Sequence, residues 1–273
     1  MYNVEMKKDN GQAIYLYCFA CPHLLPTIEK IGIDGKNPIF LHSFMGIAAI
    51  LSMVSFEDFC GPSAEANLQD LAWVGLRACC HEKVAEKIMD YSPVFPAGFG
   101  TVFSSLASLE KLLKKHHTII LQFLEQQTCN EEWAVKGMLD RAKAKEKLFS
   151  TALAIQAESL TALSLGTRYF QEQRIRNTIE KELKCSSMQV CNKIINDLKS
   201  SAVDSVKRKI MSKEVSGSNL DMIQNWAFLV SRDVTADFYS QIKQINKEYA
   251  PQGLVFELSG PWPPYSFCPS LEM

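Results

Sequence analysis

The chain is 273 residues long, about twice the length of a typical domain, so a two-domain organisation is expected. Hydrophobic residues make up 47% of the sequence and charged residues 22%, which excludes a disordered or low-complexity chain. The 29 basic and 30 acidic side chains give a net charge of −1, whereas a dedicated nucleic-acid-binding protein carries a basic surplus that neutralises phosphates.

Apolar runs in the first sixty residues have the composition of buried strands. Ala13–Ala20 mixes β-branched, aromatic and small residues without a polar face, which predicts a central strand buried on both sides. Asn37–Phe56 lacks charged residues and is long enough to span a bilayer, but proline, histidine, serine and glycine interrupt it. We therefore predict two strands, Ile39–His42 and Ile47–Val54, joined by a turn at Ser43–Gly46, and no membrane span.

Helical periodicity dominates the next part of the chain. After a break at Gly61-Pro62-Ser63, a helix is predicted with a buried stripe at four-residue spacing, made of Leu76, Cys80, Val84 and Ile88. A proline on each side then frames the short strand Val94–Phe95. Leu106–Leu124 repeats apolar residues at every third and fourth position and is the clearest predicted helix of the chain.

The remaining elements predict a second folded part. Three segments have the pattern of strands: Glu132–Met138, Gln224–Val230 and Leu254–Leu258. Asp140 begins a helical stretch that ends near Leu198, Ser201–Met211 fits a strand or a continued helix, and an apolar stripe from Val234 to Tyr249 predicts a further helix. This order of elements is that of a ferredoxin-like unit with a long helical insertion after its first strand.

The expected fold is therefore α+β with two domains. Residues 1–127 form an N-terminal α+β domain, residues 128–260 a modified ferredoxin-like domain, and residues 261–273 an extended tail rich in proline and aromatic residues. Charge supports the division, because residues 1–110 carry 7 basic and 12 acidic side chains whereas residues 111–273 carry 22 and 18.

The thiols and their neighbours predict no reactive site. Nine cysteines at irregular spacing fit a reducing cytoplasm better than a disulfide-linked secreted protein. Cys18 and Cys21 form a C-x-x-C pair inside an apolar strand, without the second pair that a zinc site needs, and we interpret them as packing residues. Cys79-Cys80-His81-Glu82 combines nucleophile, base and acid types, but adjacent helical residues point about 100° apart and do not converge on one atom. We expect no catalytic, cofactor-binding or metal site.

Three further features are interpreted structurally. His116 falls on the apolar stripe of its helix and is expected to be a hydrogen-bonded histidine at the edge of the core. Gly98-Phe99-Gly100 predicts a tight turn, because Phe103 stands where a phosphate-binding loop has its third glycine. The basic runs Arg141–Lys147 and Lys207–Lys209 are interpreted as solvated faces, with an acidic protein partner as the alternative.

The C-terminal tail is unusual, since Gly260–Phe267 contains three prolines and three aromatic residues. Proline fixes φ and lacks an N–H donor, so this segment is expected to be extended and stiff. The aromatic residues Trp262, Tyr265 and Phe267 would be costly to leave in water. We expect them to dock either on the protein's own surface, as an arm between the two domains, or on a partner.

Eight short segments occur in the order and spacing of one known family. They are Tyr15-Leu16-Tyr17, His81–Val84, Pro93–Pro96, Phe99–Phe103, Glu132–Lys136, Gly166–Phe170, Ala227–Val230 and Leu258–Phe267. Together they resemble the GvpL/GvpF family of gas vesicle proteins, and the run GPWPPYSF in the last segment is the most specific of them. Two positions depart from the family pattern: Ala97-Gly98, where a basic residue usually precedes Phe-Gly, and Arg168-Tyr169-Phe170.

The resemblance implies a cytoplasmic accessory or minor structural protein of gas vesicles, without enzymatic activity or cofactor. It implies two α+β domains, the second a modified ferredoxin-like fold with an extended tail. It also implies binding to the small hydrophobic major shell protein and to other accessory proteins. The implied role is to nucleate the shell or to keep the shell subunit from aggregating. A partner that covers apolar shell surface must offer apolar surface itself. The residues expected to provide that contact are Leu106, Leu109, Leu113, Ile120, Trp262, Tyr265 and Phe267.

Two other classes stay open from the residues alone. A ferredoxin-like unit often binds small ligands between helix and sheet, so one alternative is a small-ligand-binding or thiol-dependent enzyme. The candidate site residues for such an enzyme are Cys79, Cys80 and His81. A generic assembly adaptor unrelated to gas vesicles is the other.

Overall fold

The computed structural model describes residues 11–26, 28, 30–213 and 217–272, which divide into two compact units. The first unit contains the described residues up to Glu131 together with the C-terminal segment from Trp262, and the second runs from Glu132 to Pro261. The residues expected to form a separate tail therefore cluster with the first unit. Residues 1–10 of the predicted N-terminal domain lie outside the described residues, as does residue 273 of the predicted tail.

The first unit is built on a sheet whose strands are ordered β2-β3-β1-β4, with β5 also paired to β1. The strands are β1 Gln12–Ala20, β2 Ile39–Phe44, β3 Ile47–Ser55, β4 Val94–Pro96 and β5 Val102–Phe103. β2 and β3 pair as an antiparallel hairpin, as predicted, so the uncharged segment is a hairpin. Within the described part of the chain, no helix is long and apolar enough to cross a membrane.

The central strand β1 is buried on both faces, as its composition predicts. A β-bulge between Leu16 and Cys18 shifts the alternation of its side chains by one residue. Leu16 and Phe19 therefore pack in one hydrophobic cluster, whereas Tyr15 and Tyr17 pack in the other. One strand thus supplies core residues to two layers of helix.

Four helices of the first unit cover this sheet: α1 Phe56–Phe59, α2 Ser63–Gln69, α3 Leu71–Met89 and α4 Leu106–Gln127. The single helix predicted after Gly61-Pro62-Ser63 is wrong, because the Asp70 side chain accepts the Ala72 N–H and begins α3 as a new helix. The predicted stripe is also partly wrong. Val84 and Ile88 are buried, but Leu76 is 76% exposed.

The second unit contains a sheet ordered β7-β8-β6-β9. Its strands are β6 Asn130–Leu139, β7 Asp204–Lys207, β8 Asp221–Ser231 and β9 Leu254–Trp262. Its helices are α5 Arg141–Ile155, α6 Ala157–Thr161, α7 Leu165–Lys199 and α8 Thr235–Tyr249. The ambiguous segment before β8 is a strand, β7, rather than a continued helix.

The insertion after β6 is an antiparallel helical hairpin formed by α5 and α7. The Asp140 carboxylate accepts the Lys143 N–H at 3.0 Å, which confirms the predicted helix start. Further along, the Arg176 guanidinium lies 3.8 Å from the centre of the Phe149 ring and joins the two helices. The chain therefore inserts two antiparallel helices and their connection between β6 and β7.

Candidate functional site

A buried histidine fixes the loop that forms one wall of a groove in the first unit. His81 Nε2 donates to the Ala97 carbonyl oxygen at 3.1 Å. Its Nδ1 is therefore an acceptor, and the Tyr15 hydroxyl donates to it at 2.8 Å. The Tyr15 oxygen in turn accepts the Gly100 N–H at 3.1 Å. Ala97 and Gly100, at the two ends of the 97–100 loop, are thus hydrogen-bonded to the side chains of His81 and Tyr15.

Two more tyrosines complete this cluster. The Tyr17 hydroxyl accepts the Ile33 N–H at 2.7 Å and shares a hydrogen bond of 2.9 Å with the Ser52 hydroxyl. The Tyr17 ring stacks on the His81 ring with centroids 5.7 Å apart, and the Tyr265 ring lies 6.3 Å from the same imidazole. A side chain of the tail therefore packs in a cluster that β1 and α3 build.

Burial sets the protonation of these groups. It lowers the pKa of His81 to about 4, against a smaller opposing effect of the hydrogen bond to the Ala97 carbonyl. It also raises the pKa of Tyr15 and of Tyr265, and the nearby Glu82 carboxylate raises the pKa of Tyr265 further. At pH 7 the cluster is neutral. The neutral imidazole, with both nitrogens hydrogen-bonded, holds the backbone of the 97–100 loop in place.

The groove itself has a volume of about 1010 Å³. Its walls come from α1, α2, the loop before β5 and the tail residues Cys268–Leu271. The lining includes seven aromatic residues: Phe19, Phe56, Phe59, Phe95, Phe99, Phe103 and Tyr265. Among the described lining residues, Glu65 is the one that carries a charge. An apolar groove of this kind can accept an apolar ligand or an apolar polypeptide segment.

The tail docks on the surface of the first unit, and an arm between the two domains stays a prediction. Phe267 and Leu271 pack half-buried against the hydrophobic cluster that contains Leu16 and Phe19. His116 Nε2 donates to the Glu272 carbonyl at 2.8 Å, so this histidine is hydrogen-bonded at the edge of the core, as predicted.

Three of the seven residues expected to contact a partner are core residues. Leu109, Leu113 and Ile120 are fully buried in the first unit, because the apolar stripe of α4 covers the sheet. They are not available on the surface, and that expectation is corrected here. Leu106, at the start of α4, is 36% exposed. The tail aromatics Trp262, Tyr265 and Phe267 are each half-buried.

The thiols do not assemble a reactive set with His81. Cys79 is exposed and Cys80 half-buried, while both nitrogens of the adjacent His81 are already hydrogen-bonded elsewhere. Cys18 is fully buried, and burial raises its pKa. All nine cysteines lie in the described part of the chain and are thiols. Across the described residues, no three histidine, cysteine or acidic side chains gather as a metal site would require.

The first half of the outer face of α3 is the first surface that the sequence analysis missed. The exposed residues of this half, Leu71, Ala72, Gly75, Leu76 and Cys79, are uncharged, whereas Lys83 and Lys87 are exposed further along the helix. Leu71 is 87% exposed, although a leucine at an ordinary surface position is usually covered in part. The signal was available in the sequence, since LAWVGL contains no charged residue and Asp70 before it is a typical helix start.

The tip of the α5–α7 hairpin is the second missed surface. Leu165 is 87% exposed and Phe170 69% exposed, and Tyr169 and Ile155 are also more than half exposed. The Arg176–Phe149 contact sets the register of the two antiparallel helices. Ile155 lies six residues after Phe149 and Phe170 lies six residues before Arg176, so this register places Phe170 opposite Ile155 at the tip. The sequence marked this segment only as a departure from the family pattern.

The basic runs form ion pairs within the second unit. Arg141 pairs with Asp221, and Lys145 pairs with Glu180. Arg208 pairs with the buried Glu132. Three of the seven basic residues in the two runs are thus ion-paired, and Arg208 contacts a buried carboxylate rather than a solvated face.

Comparison with known proteins agrees with the sequence resemblance. Residues 13–269 match the family model described as gas vesicle synthesis protein GvpL/GvpF. The chain is 24% identical to gas vesicle protein L of a Streptomyces species over 96% of its own length and 94% of the relative's. It is 21% identical to gas vesicle protein L1 of Halobacterium salinarum over 98% and 94% of the two chains. The fold matches the crystal structure of gas vesicle protein GvpF from an Anabaena species, with a TM-score of 0.63, 20% identity and coverage of 95% and 97%. The chain belongs to the GvpL/GvpF family of gas vesicle synthesis proteins.

Proposed function

We propose that this protein acts in gas vesicle assembly by binding the hydrophobic major shell protein and limiting its aggregation while the shell nucleates. The observation that carries the proposal is the family match over residues 13–269. On this proposal the protein works at the gas vesicle and in the cytoplasm around it, together with other accessory proteins, and it catalyses no reaction.

The outer face of α3 supports the proposal physically. A subunit whose surface will face gas exposes apolar area before it is assembled, and such area drives aggregation in water. A helix face without charge can cover it. The space above Gly75 is open, since a Cβ built there would meet no atom within 4 Å. The small residues Ala72 and Gly75 let a partner's backbone approach closely between the exposed side chains of Leu71 and Leu76.

The tail has a supporting role in this proposal. Because Tyr265 packs beside His81, and Phe267 packs in the core cluster, their removal would loosen the first unit before it affected a partner. A tail deletion therefore does not test binding cleanly, and a surface substitution on α3 does.

We further propose that the second unit is a modified ferredoxin-like fold. In chain order the four strands of this unit are β6, β7, β8 and β9, and in the sheet they are ordered β7-β8-β6-β9. The first strand of the unit, β6, therefore lies between the third and the fourth, and the second strand, β7, lies at the edge beside the third. That arrangement supports the proposal, with the α5–α7 hairpin as the insertion after the first strand.

A co-expression experiment tests the shell-binding proposal. The shell protein is produced alone, with the wild-type chain, or with the chain carrying Leu76→Asp. The amount of shell protein in the supernatant after centrifugation and the amount retained by the tagged chain are measured. We expect the wild-type chain to keep shell protein in the supernatant and to retain it, and Leu76→Asp to lose most of both effects, since it places a charge in an apolar contact.

The matched control is Asn177→Asp, which adds the same charge at an exposed position of α7. It should behave as the wild-type chain does. If the wild-type chain neither retains the shell protein nor changes its solubility, the shell-binding proposal is wrong. If Leu76→Asp binds normally, shell binding stands but the α3 face is not the contact.

A further inference from the structure

The outer edge of β2 is open over most of its length. β2 is the edge strand of the first sheet and pairs with β3 on one side. On its other side the Ile39 N–H donates to the Lys30 carbonyl at 2.8 Å, which closes the first position of the edge. Because the backbone groups of a strand alternate in direction, those of Leu41 and Ser43 also point away from β3. In the part of the chain that the structure describes, no backbone group pairs with these two residues on that side.

This edge lacks the residues that usually keep sheet edges from pairing. Charged side chains and prolines are the common protection of an edge strand. In the second sheet, the edge strand β7 begins at Asp204 and ends at Lys207, and the edge strand β9 contains Glu257 and Pro261. Residues 37–56, which include β2 and β3, contain no lysine, arginine, aspartate or glutamate. The β2 edge is therefore a surface on which another strand can add.

The sequence of β2 is matched to a second copy of itself. Residues 40–44 read Phe-Leu-His-Ser-Phe, so the strand is nearly symmetric about His42. The open positions, Leu41 and Ser43, lie one residue to each side of that centre. An antiparallel copy of β2 pairs with both when Leu41 of each copy lies opposite Ser43 of the other, which places a two-fold axis at His42. Pairing Leu41 with Leu41 would instead bring Ser43 opposite Ile39, whose N–H is already bonded.

The side chains that meet in this register are complementary. Phe40 of one copy lies opposite Phe44 of the other, and both residues are half-buried where they pack on the core of the first unit. Aromatic pairs across antiparallel strands stabilise a sheet. On the other face Leu41 is exposed and Met45 is more than half exposed, and each meets apolar side chains of the second copy diagonally. The contact would therefore cover apolar surface on both faces of the joined sheets.

We propose that this protein forms a two-fold symmetric dimer in which the β2 strands of two copies pair antiparallel and join the two first-unit sheets. Each Leu41–Ser43 pair exchanges both of its backbone hydrogen bonds. The two His42 rings meet at the axis, each hydrogen-bonded through Nε2 to the Glu110 carboxylate of its own copy at 3.0 Å. The contact is isologous and closed, so association stops at the dimer. Because the contact is small, we expect a dissociation constant on the order of 10–100 µM.

Sedimentation velocity of the purified full chain tests the proposal without any shell protein, so its outcome is independent of shell binding. Concentrations from about 5 to about 500 µM span the expected dissociation constant. We expect the weight-average mass to rise from that of a monomer towards that of a dimer and no further.

Two substitutions on the open edge should prevent dimerisation. Leu41→Lys places like charges diagonally across the axis and should raise the dissociation constant at least about tenfold. Ser43→Pro removes an N–H that points away from β3, so it should abolish pairing with the second copy and leave the hydrogen bonds between β2 and β3 in place. The matched controls are Asn177→Lys, at an exposed position of α7, and Ser43→Ala, which keeps the N–H. Both should dimerise as the wild-type chain does.

Hydrogen exchange locates the contact within the strand. As the concentration rises, the amides of Leu41 and Ser43 should exchange more slowly, because they become hydrogen-bonded to the second copy. The His42 amide points towards β3 and should change little.

Three results would overturn the proposal. One is a wild-type chain that stays monomeric throughout the concentration range. Another is growth beyond the dimer, which requires an open rather than a two-fold contact. The third is a dimer that the folded Leu41→Lys and Ser43→Pro chains form as readily as the wild-type chain. Circular dichroism of each variant shows that a loss of association does not come from unfolding.

Discussion

Protonation of His81 is expected to destabilise the first unit in mild acid. The imidazole is buried and its pKa is lowered to about 4, whereas an exposed histidine in the unfolded chain titrates near 6.5. As the pH falls below 6.5, the unfolded chain takes up this proton and the folded chain does not. The contribution of His81 to stability is therefore fully present above pH 6.5 and is lost as the pH falls towards 4.

The size of the effect follows from the two pKa values. Their difference corresponds to about 3 kcal/mol of stability, of which about 2 kcal/mol is lost between pH 7 and pH 5. Carboxylates elsewhere also titrate in this range, so the effect of His81 must be isolated by substitution. His81→Gln keeps a donor for the Ala97 carbonyl and an acceptor for the Tyr15 hydroxyl but does not titrate.

The assay is urea unfolding at pH 7 and pH 5, followed by circular dichroism. We expect the wild-type chain to lose about 2 kcal/mol more than His81→Gln between the two pH values. His23→Gln, at an exposed histidine, is the control and should keep the wild-type pH dependence. Equal losses in the wild-type chain and in His81→Gln would refute the assignment of a buried neutral histidine.

Five further substitutions test the packing and the helix start. Leu113→Ala should cost about 2–5 kcal/mol in the urea-derived free energy of unfolding, because Leu113 is fully buried in the core, while Leu106→Ala should cost about 0.5 kcal/mol or less. Phe267→Ala should cost about 1–2 kcal/mol and increase hydrogen exchange of the α4 amides, since the half-buried ring packs on that core. Gly253→Ala should cost more than about 2 kcal/mol in thermal unfolding, because Gly253 has φ of +83° and a Cβ there would lie 2.7 Å from the backbone of Ala144 and Asp140. Asp140→Ala should cost about 1 kcal/mol and increase hydrogen exchange at the start of α5, through loss of the bond to the Lys143 N–H.

The strands and helices could largely be predicted because their signals are local. The uniform apolar run of β1, the apolar repeat of α4 and the helix start at Asp140 each lie within a few turns of sequence. The division at Asp70 could not be inferred from periodicity, since apolar residues continue on both sides of it. Apolar spacing also does not tell a core stripe from a contact surface, which is why Leu113 was expected to bind a partner.

The candidate surfaces were harder to predict because distant segments build them. The groove joins α1, α2, the loop before β5 and the tail, so no single stretch of sequence has its pattern. His81 depends in the same way on Tyr15, which lies 66 positions away on β1. The exposed tip at Phe170 is formed by residues close together in sequence. The sequence alone does not show whether such an apolar helical segment is exposed or packed, and only the exposure of Phe170 in the folded chain answers that.

Gas vesicle formation in cells tests the central claim most directly. A host that carries the complete gas vesicle gene cluster, with the gene for this chain deleted, is complemented with the wild-type chain, with Leu76→Asp or with Asn177→Asp, and vesicles are counted by electron microscopy. We expect few or no vesicles without the chain, restoration by the wild-type chain and by Asn177→Asp, and poor restoration by Leu76→Asp. Vesicles in normal number without the chain would contradict a role in assembly.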